Sequence, residues 1–273
     1  MFGKLLKNDL KAQFHSIAPL FFTVYIIVFI GELFSLLNDG IAGMIAGLGV
    51  VAVMLFACLV IIVAVALNFS KTVFGKAGYL TLTLPVKTGS LVLSKTLSSL
   101  IWTYSVYVLF FVFLFSWMYI SSQRIGADLI ETADVFFGLL LGESISTMLS
   151  SMFYYLAWFG VIMFLVVQCM HFGITCSNVK PLSKFGAFSA IVIFFASFAF
   201  IVFVVGKIAK TLPIGMVVYE DIVTLTSNIP KTKHALGDTA NGFGFVGPLL
   251  TLAASVGLHF PITYLIKHKV NVK

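Results

Sequence analysis

Between Val50 and Leu67 the chain reads VVAVMLFACLVIIVAVAL, a run without one charged side chain. A half-buried strand of a soluble sheet alternates apolar and polar positions, and this run does not. Hydrocarbon offers backbone N–H and C=O groups no partner, so a segment inside it must be a helix or part of a closed barrel. A barrel would need short strands of alternating polarity, which leaves a lipid-buried helix. The rest of the chain agrees: 60% of its residues are hydrophobic and only 10% are charged, which excludes a soluble core under a polar shell.

Spans of about 20 residues, the length that crosses a bilayer core, divide the 273 residues into six membrane helices. They are expected at Ala18 to Leu37, Ile41 to Leu67, Leu97 to Ile120, Leu149 to Ile174, Phe185 to Val205 and Phe243 to Ile266. The expected fold is therefore an all-α integral membrane protein, one transmembrane domain over 1–273, with outer loops at 121–148 and 206–242. Lysines orient it. With both termini cytoplasmic, only Arg124, Lys207, Lys210, Lys231 and Lys233 of the 17 basic residues fall outside, and Asp9 is the only one of ten acids inside. An excess of Lys and Arg marks the cytoplasmic side, and charges in a long loop such as 206–242 weigh little. No small-residue cleavage site follows a short apolar core near Met1, so insertion through the first span is expected.

Ahead of that span, residues 1–17 place Phe2, Leu5, Leu6, Leu10 and Phe14 on one helical face and Lys4, Lys7 and Lys11 on the other. This is the pattern of a helix lying in the interface, although a basic flank that only sets topology would carry the same lysines. Gly43 and Gly47, four apart, let another helix approach closely, in this subunit or a second copy. Glu32 near the end of span one, and Gln168 and His171 a turn apart in span four, are the polar candidates for a substrate path or gate. His171 can equally be a packed histidine that hydrogen bonds. Cys58, Cys169 and Cys176 fall in or at the end of spans and suggest no disulfide framework or metal site.

Enzyme motifs are missing. The chain has no G-x-x-x-x-G-K-[ST] phosphate loop, no H-E-x-x-H and no G-x-S-x-G, so no catalytic residue and no cofactor is expected in it. A net charge of +7 raises nucleic acid as a partner, but the lysines stand singly beside apolar spans without stacking aromatics, and anionic lipid headgroups explain them better.

The stretch Gly75 to Lys95, GKAGYLTLTLPVKTGSLVLSK, sits between two spans yet carries leucines, a tyrosine and a proline where a tether would be polar. Pro85 stiffens it, and Tyr79, Leu80, Leu82 and Leu84 offer burial against a partner. A loop hugging the membrane without a partner would have the same composition. In layout and in this loop the chain resembles the membrane subunits of bacterial type-two ATP-binding cassette exporters whose ATPase is a separate polypeptide. The resemblance rests on the opening FGKLLKNDLKAQF, six spans with both ends inside, and the loop's Gly78-Tyr79-Leu80, Leu84-Pro85 and Ser94-Lys95. Ala77 stands where the family often has an acid.

The resemblance implies that 68–96 is a cytoplasmic coupling loop docking on the ATPase, with Phe74, Gly78, Tyr79, Leu80, Leu82, Leu84, Pro85, Lys87, Ser94 and Lys95 as its contacts, and that the opening helix is an elbow. It further implies two cytosolic ATPases, which would bind the ATP and Mg, a second identical or homologous permease, surrounding membrane lipids, and a place in a bacterial cytoplasmic membrane. The implied activity is export of an amphiphile, such as a hydrophobic or antimicrobial peptide, a lipid or a drug. A sensor or scaffold that uses the same loop to hold a soluble partner is the alternative, and an unassisted carrier a third.

Overall fold

The computed structural model describes residues 2–37, 41–75, 78, 87–125, 145–219, 222–236 and 241–268. Long helices dominate: α1 (Phe2–Leu37), α2 (Ile41–Val73), α3 (Thr88–Ile125), α4 (Ile145–Ser177), α5 (Gly186–Thr211) and α7 (Val246–His268). Leu156–Ser177 of α4, together with α5 and α7, gives three helical segments long and apolar enough to cross a membrane, and the bent α1 would make a fourth. Four of the six expected spans lie inside long helices; the fifth, from Phe185, begins one residue before α5, and the sixth, from Phe243, begins three residues before α7, with Phe243 itself in a strand. The chain divides into two compact units, 1–77 with 97–150, and 78–96 with 151–273.

In the first unit the expected elbow and first span form one helix bent by 49° between Phe2–His15 and Ile17–Gly31. Pro19 accounts for the bend: it has no N–H to give the His15 carbonyl, and its ring crowds that carbonyl. Gln13 and Ile17 are buried while Phe14 is 49% exposed, so the inward stripe runs through Leu6, Leu10, Gln13 and Ile17 and leaves Phe14 off it. Phe14 and Phe21 instead set their rings 6.0 and 6.3 Å from that of Trp102 in α3. Helices α1 and α2 pack through Val28 and Val50, flanked by Val24 and Val53. A side chain at Gly31 would strike Val50 Cγ2 at 2.6 Å, so the close approach needs a glycine there.

In the second unit α4 turns through a short 3-10 helix (Leu182–Lys184) into α5, with Asn178 Nδ2 donating to the Ile174 carbonyl at the end of α4. Gly173 lets the two helices meet: a Cβ there would lie 2.6 Å from the Ala190 carbonyl oxygen and 3.2 Å from the Phe194 nitrogen. Helix α5 continues six residues past Val205, the expected end of span five, to Thr211.

The loop expected at 206–242 is folded, which amends the all-α reading. Strands β1 (Gly215–Tyr219), β2 (Ile222–Thr226) and β3 (Asn241–Gly244) form an antiparallel sheet in the order β2-β1-β3, with the eight-residue helix α6 (Ile229–Leu236) against it. Val217 and Phe243 are buried, and the Tyr154 hydroxyl of α4 donates to the Gly244 carbonyl at 2.7 Å with its ring 5.0 Å from that of Phe243. Val and Ile at alternate positions suit pairing on a pleated surface, but strands of four and five residues leave little sequence period to detect. The outer loop expected at 121–148 lies mostly outside the described residues.

Because the atoms facing Gly173 are backbone, Gly173→Ala is expected to cost about 1–3 kcal/mol through overpacking. Gly206→Ala, in a helix with nothing within 4 Å of the new methyl group, is expected to be neutral or stabilising by up to about 1 kcal/mol. Thermal unfolding of both variants in one detergent checks this, and equal melting temperatures would show that α4 and α5 do not approach through Gly173.

Candidate functional site

The stretch singled out in the sequence is framed by two helix ends. Helix α2 stops at Val73; the Phe74 N–H still reaches the Ser70 carbonyl at 2.9 Å, and Phe74 is buried edge-on to Phe69, ring centroids 6.1 Å apart. Next comes Gly75, where a Cβ would meet the Lys71 carbonyl oxygen at 2.5 Å, so the chain folds back over its own last turn only with glycine there. Gly78 is buried. The coupling contacts expected at Tyr79, Leu80, Leu82, Leu84 and Pro85 lie outside the described residues.

Helix α3 opens at Thr88, with the Lys87 carbonyl accepting from the Ser90 and Leu91 amides at 2.9 and 3.2 Å. The stretch expected as loop, 68–96, is therefore helical at both ends, and Ser94 and Lys95 are helical rather than loop residues. Apolar residues at Leu91 and Val92 stabilise a helix that packs inward, and the first turns are interior: Leu91, Val92, Ser94, Lys95 and Thr96 are all buried. Ser94 and Lys95 thus face protein in this chain, whereas Lys87 is exposed.

These turns meet α4 and α7. Thr96 Oγ1 lies 3.3 Å from His171 Nδ1, both fully buried, and with the hydroxyl donating, the imidazole carries its proton on Nε2. His259 of α7 lies against the first turn of α3: a Cβ on Gly89 would be 4.0 Å from His259 Nε2 and 3.8 Å from Thr263 Cγ2. Lys95 of α3 is buried in the same turn as Thr96, so a second basic residue lies one position from the residue that bonds His171. Segments 78–96 and 151–219 contain no acid. Gln168, one turn before His171, is 1% exposed.

One residue beyond Thr96 the chain passes into the other unit, and there Ser98 accepts a 2.9 Å hydrogen bond from Gln13 Nε2 of the elbow segment. Two side-chain bonds joining long helices thus flank Leu97. Elsewhere hydroxyls in these helices turn back on their own chain: Thr103, Thr175, Thr251, Ser255 and Thr263 each donate to the carbonyl four residues earlier at 2.7–2.8 Å. Such bonds satisfy the hydroxyl without a partner helix. Thr96 and Ser98 spend theirs between helices.

Among the expected polar positions, then, the structure brings Lys95 and His171 together with Gln168 a turn away, and leaves Glu32 in α1 with its side chain outside the described residues. Thr96, Gly89 and His259 were not anticipated. His259 carried a signal, an ionisable residue within an apolar helix. Among the described residues no group of three His, Cys, Asp or Glu could hold a metal, and the thiols of Cys169 and Cys176 are free. Thr96 and His171 are both fully buried, and what the cluster can do is fix the opening of α3 against α4 and α7.

No family model matches the chain, and neither a curated protein nor a solved structure matches it.

Removing either end of the Thr96–His171 bond is expected to cost about 1–3 kcal/mol, the penalty for a buried polar group left without its partner. Thr96→Val and His171→Phe together should then cost less than the sum of the two by about 0.5–3 kcal/mol, as for residues in contact. Chemical unfolding of the four proteins measures the difference; strict additivity would show that the two side chains do not interact.

Proposed function

We propose that the chain is the permease subunit of a type-two ATP-binding cassette exporter, moving an amphiphilic cargo outward by alternating access. In this reading six helices span a bacterial cytoplasmic membrane with both termini inside. A second permease completes the path, and two cytosolic ATPases, which bind ATP and Mg, dock on residues 74–87.

Helix lengths are compatible with six spans: α2 has 33 residues and α3 has 38, or about 50 and 57 Å at 1.5 Å per residue, against a hydrocarbon core of about 30 Å. The observation that carries the reading is how the loop's far end is anchored. A segment pushed by an ATPase does work only if it is fastened to what must move. Within nine residues of Thr88, α3 packs against α7 at Gly89 and hydrogen-bonds α4 through Thr96, and both partner helices contain segments able to cross a membrane. Gln13–Ser98 adds a tie to the elbow segment. A displacement of 74–87 would therefore be handed to α4 and α7 rather than absorbed by a slack connection.

The test is reconstitution. A Walker-motif ATPase is expected to copurify with the chain, and Tyr79→Asp, Leu82→Asp and Leu84→Asp together should abolish the complex. Thr96→Val should keep the complex but lower ATP-driven cargo movement in vesicles several-fold. Binding unaffected by the triple change would overturn the docking role; a stable complex that hydrolyses ATP yet moves nothing would favour a scaffold or sensor.

A further inference from the structure

Where α5 ends and α7 begins, the second unit forms a pocket of about 310 Å³. Its walls are apolar, chiefly Leu212, Ile214, Ile229 and Val246, and Lys210 is its one charged lining residue. The pocket sits at the shared end of two helices long and apolar enough to cross a membrane, which places it where hydrocarbon gives way to water. Its outer side continues a lipid-facing surface: Phe188, Phe195, Phe200 and Phe203 of α5 are 62–70% exposed, and Leu212 and Ile214 carry that surface to the pocket. Lys207 folds back along it, its Nζ 5.6 Å from the Phe203 ring centroid. A second depression shares Pro230 with the first and is lined by Lys231 and His234.

We propose that this pocket binds an anionic phospholipid of the surrounding membrane, with the phosphate at Lys210 and the glycerol end of the acyl chains against Leu212, Ile214 and Ile229. A lipid is favoured over a water-soluble anion because the pocket wall is apolar and its exposed residues Leu212 and Ile214 continue the exposed apolar surface of α5. An anionic lipid is favoured over a zwitterionic one because the charged side chains described around it, Lys207, Lys210 and Lys231, are all basic. Polybasic surfaces prefer anionic lipid by roughly fivefold per lysine engaged. The proposal does not depend on the export reading, since it needs neither ATPase nor cargo.

Trp158 is a reporter, because its ring packs against Gly247, which lines the pocket. With Trp102→Phe and Trp117→Phe it is the one tryptophan left of three. In phosphatidylcholine vesicles containing this protein, acyl-brominated phosphatidylglycerol should quench Trp158 at a several-fold lower mole fraction than acyl-brominated phosphatidylcholine. Lys210→Glu should merge the two curves, and Lys210→Arg should keep them apart. Lys184→Glu, at the opposite end of α5, should leave the preference intact. Coincident curves in the parent protein, an unchanged preference in Lys210→Glu, or equal losses in Lys184→Glu and Lys210→Glu would each overturn the proposal. A circular-dichroism spectrum unchanged by Lys210→Glu separates a lost site from a lost fold.

Discussion

Lipid gives a polar group nothing to bond, and from that follows how this chain distributes its polarity. The backbone is satisfied by long helices, and most hydroxyls by the carbonyl one turn back, so both cost little inside hydrocarbon. An imidazole or an amide cannot be satisfied that way; its side chain must find a partner on another helix. His171 finds Thr96 and Gln13 finds Ser98, and both partners sit at the opening of α3. In each unit a polar residue that lipid would reject is thereby held by a side chain of α3: α1 through Ser98 in the first unit, α4 through Thr96 in the second.

The same constraint explains the other end of the second unit. A chain leaving α5 and returning into α7 has backbone groups that neither lipid nor a helix satisfies, and a three-stranded sheet pairs them. Tyr154 fastens the sheet to α4 through an aromatic contact and one hydrogen bond, the amphipathic use of tyrosine expected near an interface. Lysines that weigh slightly against the proposed orientation then acquire a physical reason, because Lys210 borders an apolar pocket and Lys231 lies on the short helix beside it.

Legibility in the sequence followed the strength of the period. Apolar runs such as Val50 to Leu67 announce their helices because nothing competes with that reading, and Pro19 marks the bend in α1. Two helix ends are longer than their apolar runs: NFSKTV after Leu67 and TGSLVLSKT before Leu97 are polar enough to pass for loop, yet both are helical, since burial against neighbouring helices decides their state. Polar candidates were legible one at a time. His171 stood out as an ionisable residue in an apolar helix, but its partner lies 75 residues away, and no local spacing connects them. The strands at Gly215–Tyr219 and Ile222–Thr226 are too short for alternation to tell strand from loop.

A buried hydroxyl–imidazole pair is not the most stable way to join two helices, since well-packed leucines of similar volume bury more apolar surface without the cost of desolvating polar atoms. What the pair supplies is register. An apolar seam offers nearly equal packing after a slide of one turn, whereas a hydrogen bond between Thr96 and His171 is lost by any such slide and leaves polar atoms buried and unmatched. In the second unit α3 leaves Lys87 packed against α7 at Gly89 and hydrogen-bonded to α4 at Thr96, two positions within eight residues. Under the proposed export reading, a connection conveying displacement would need that kind of definition more than stability, because slip at either seam would dissipate the movement. The polar opening of α3 is in this sense costly as packing and apt as a joint.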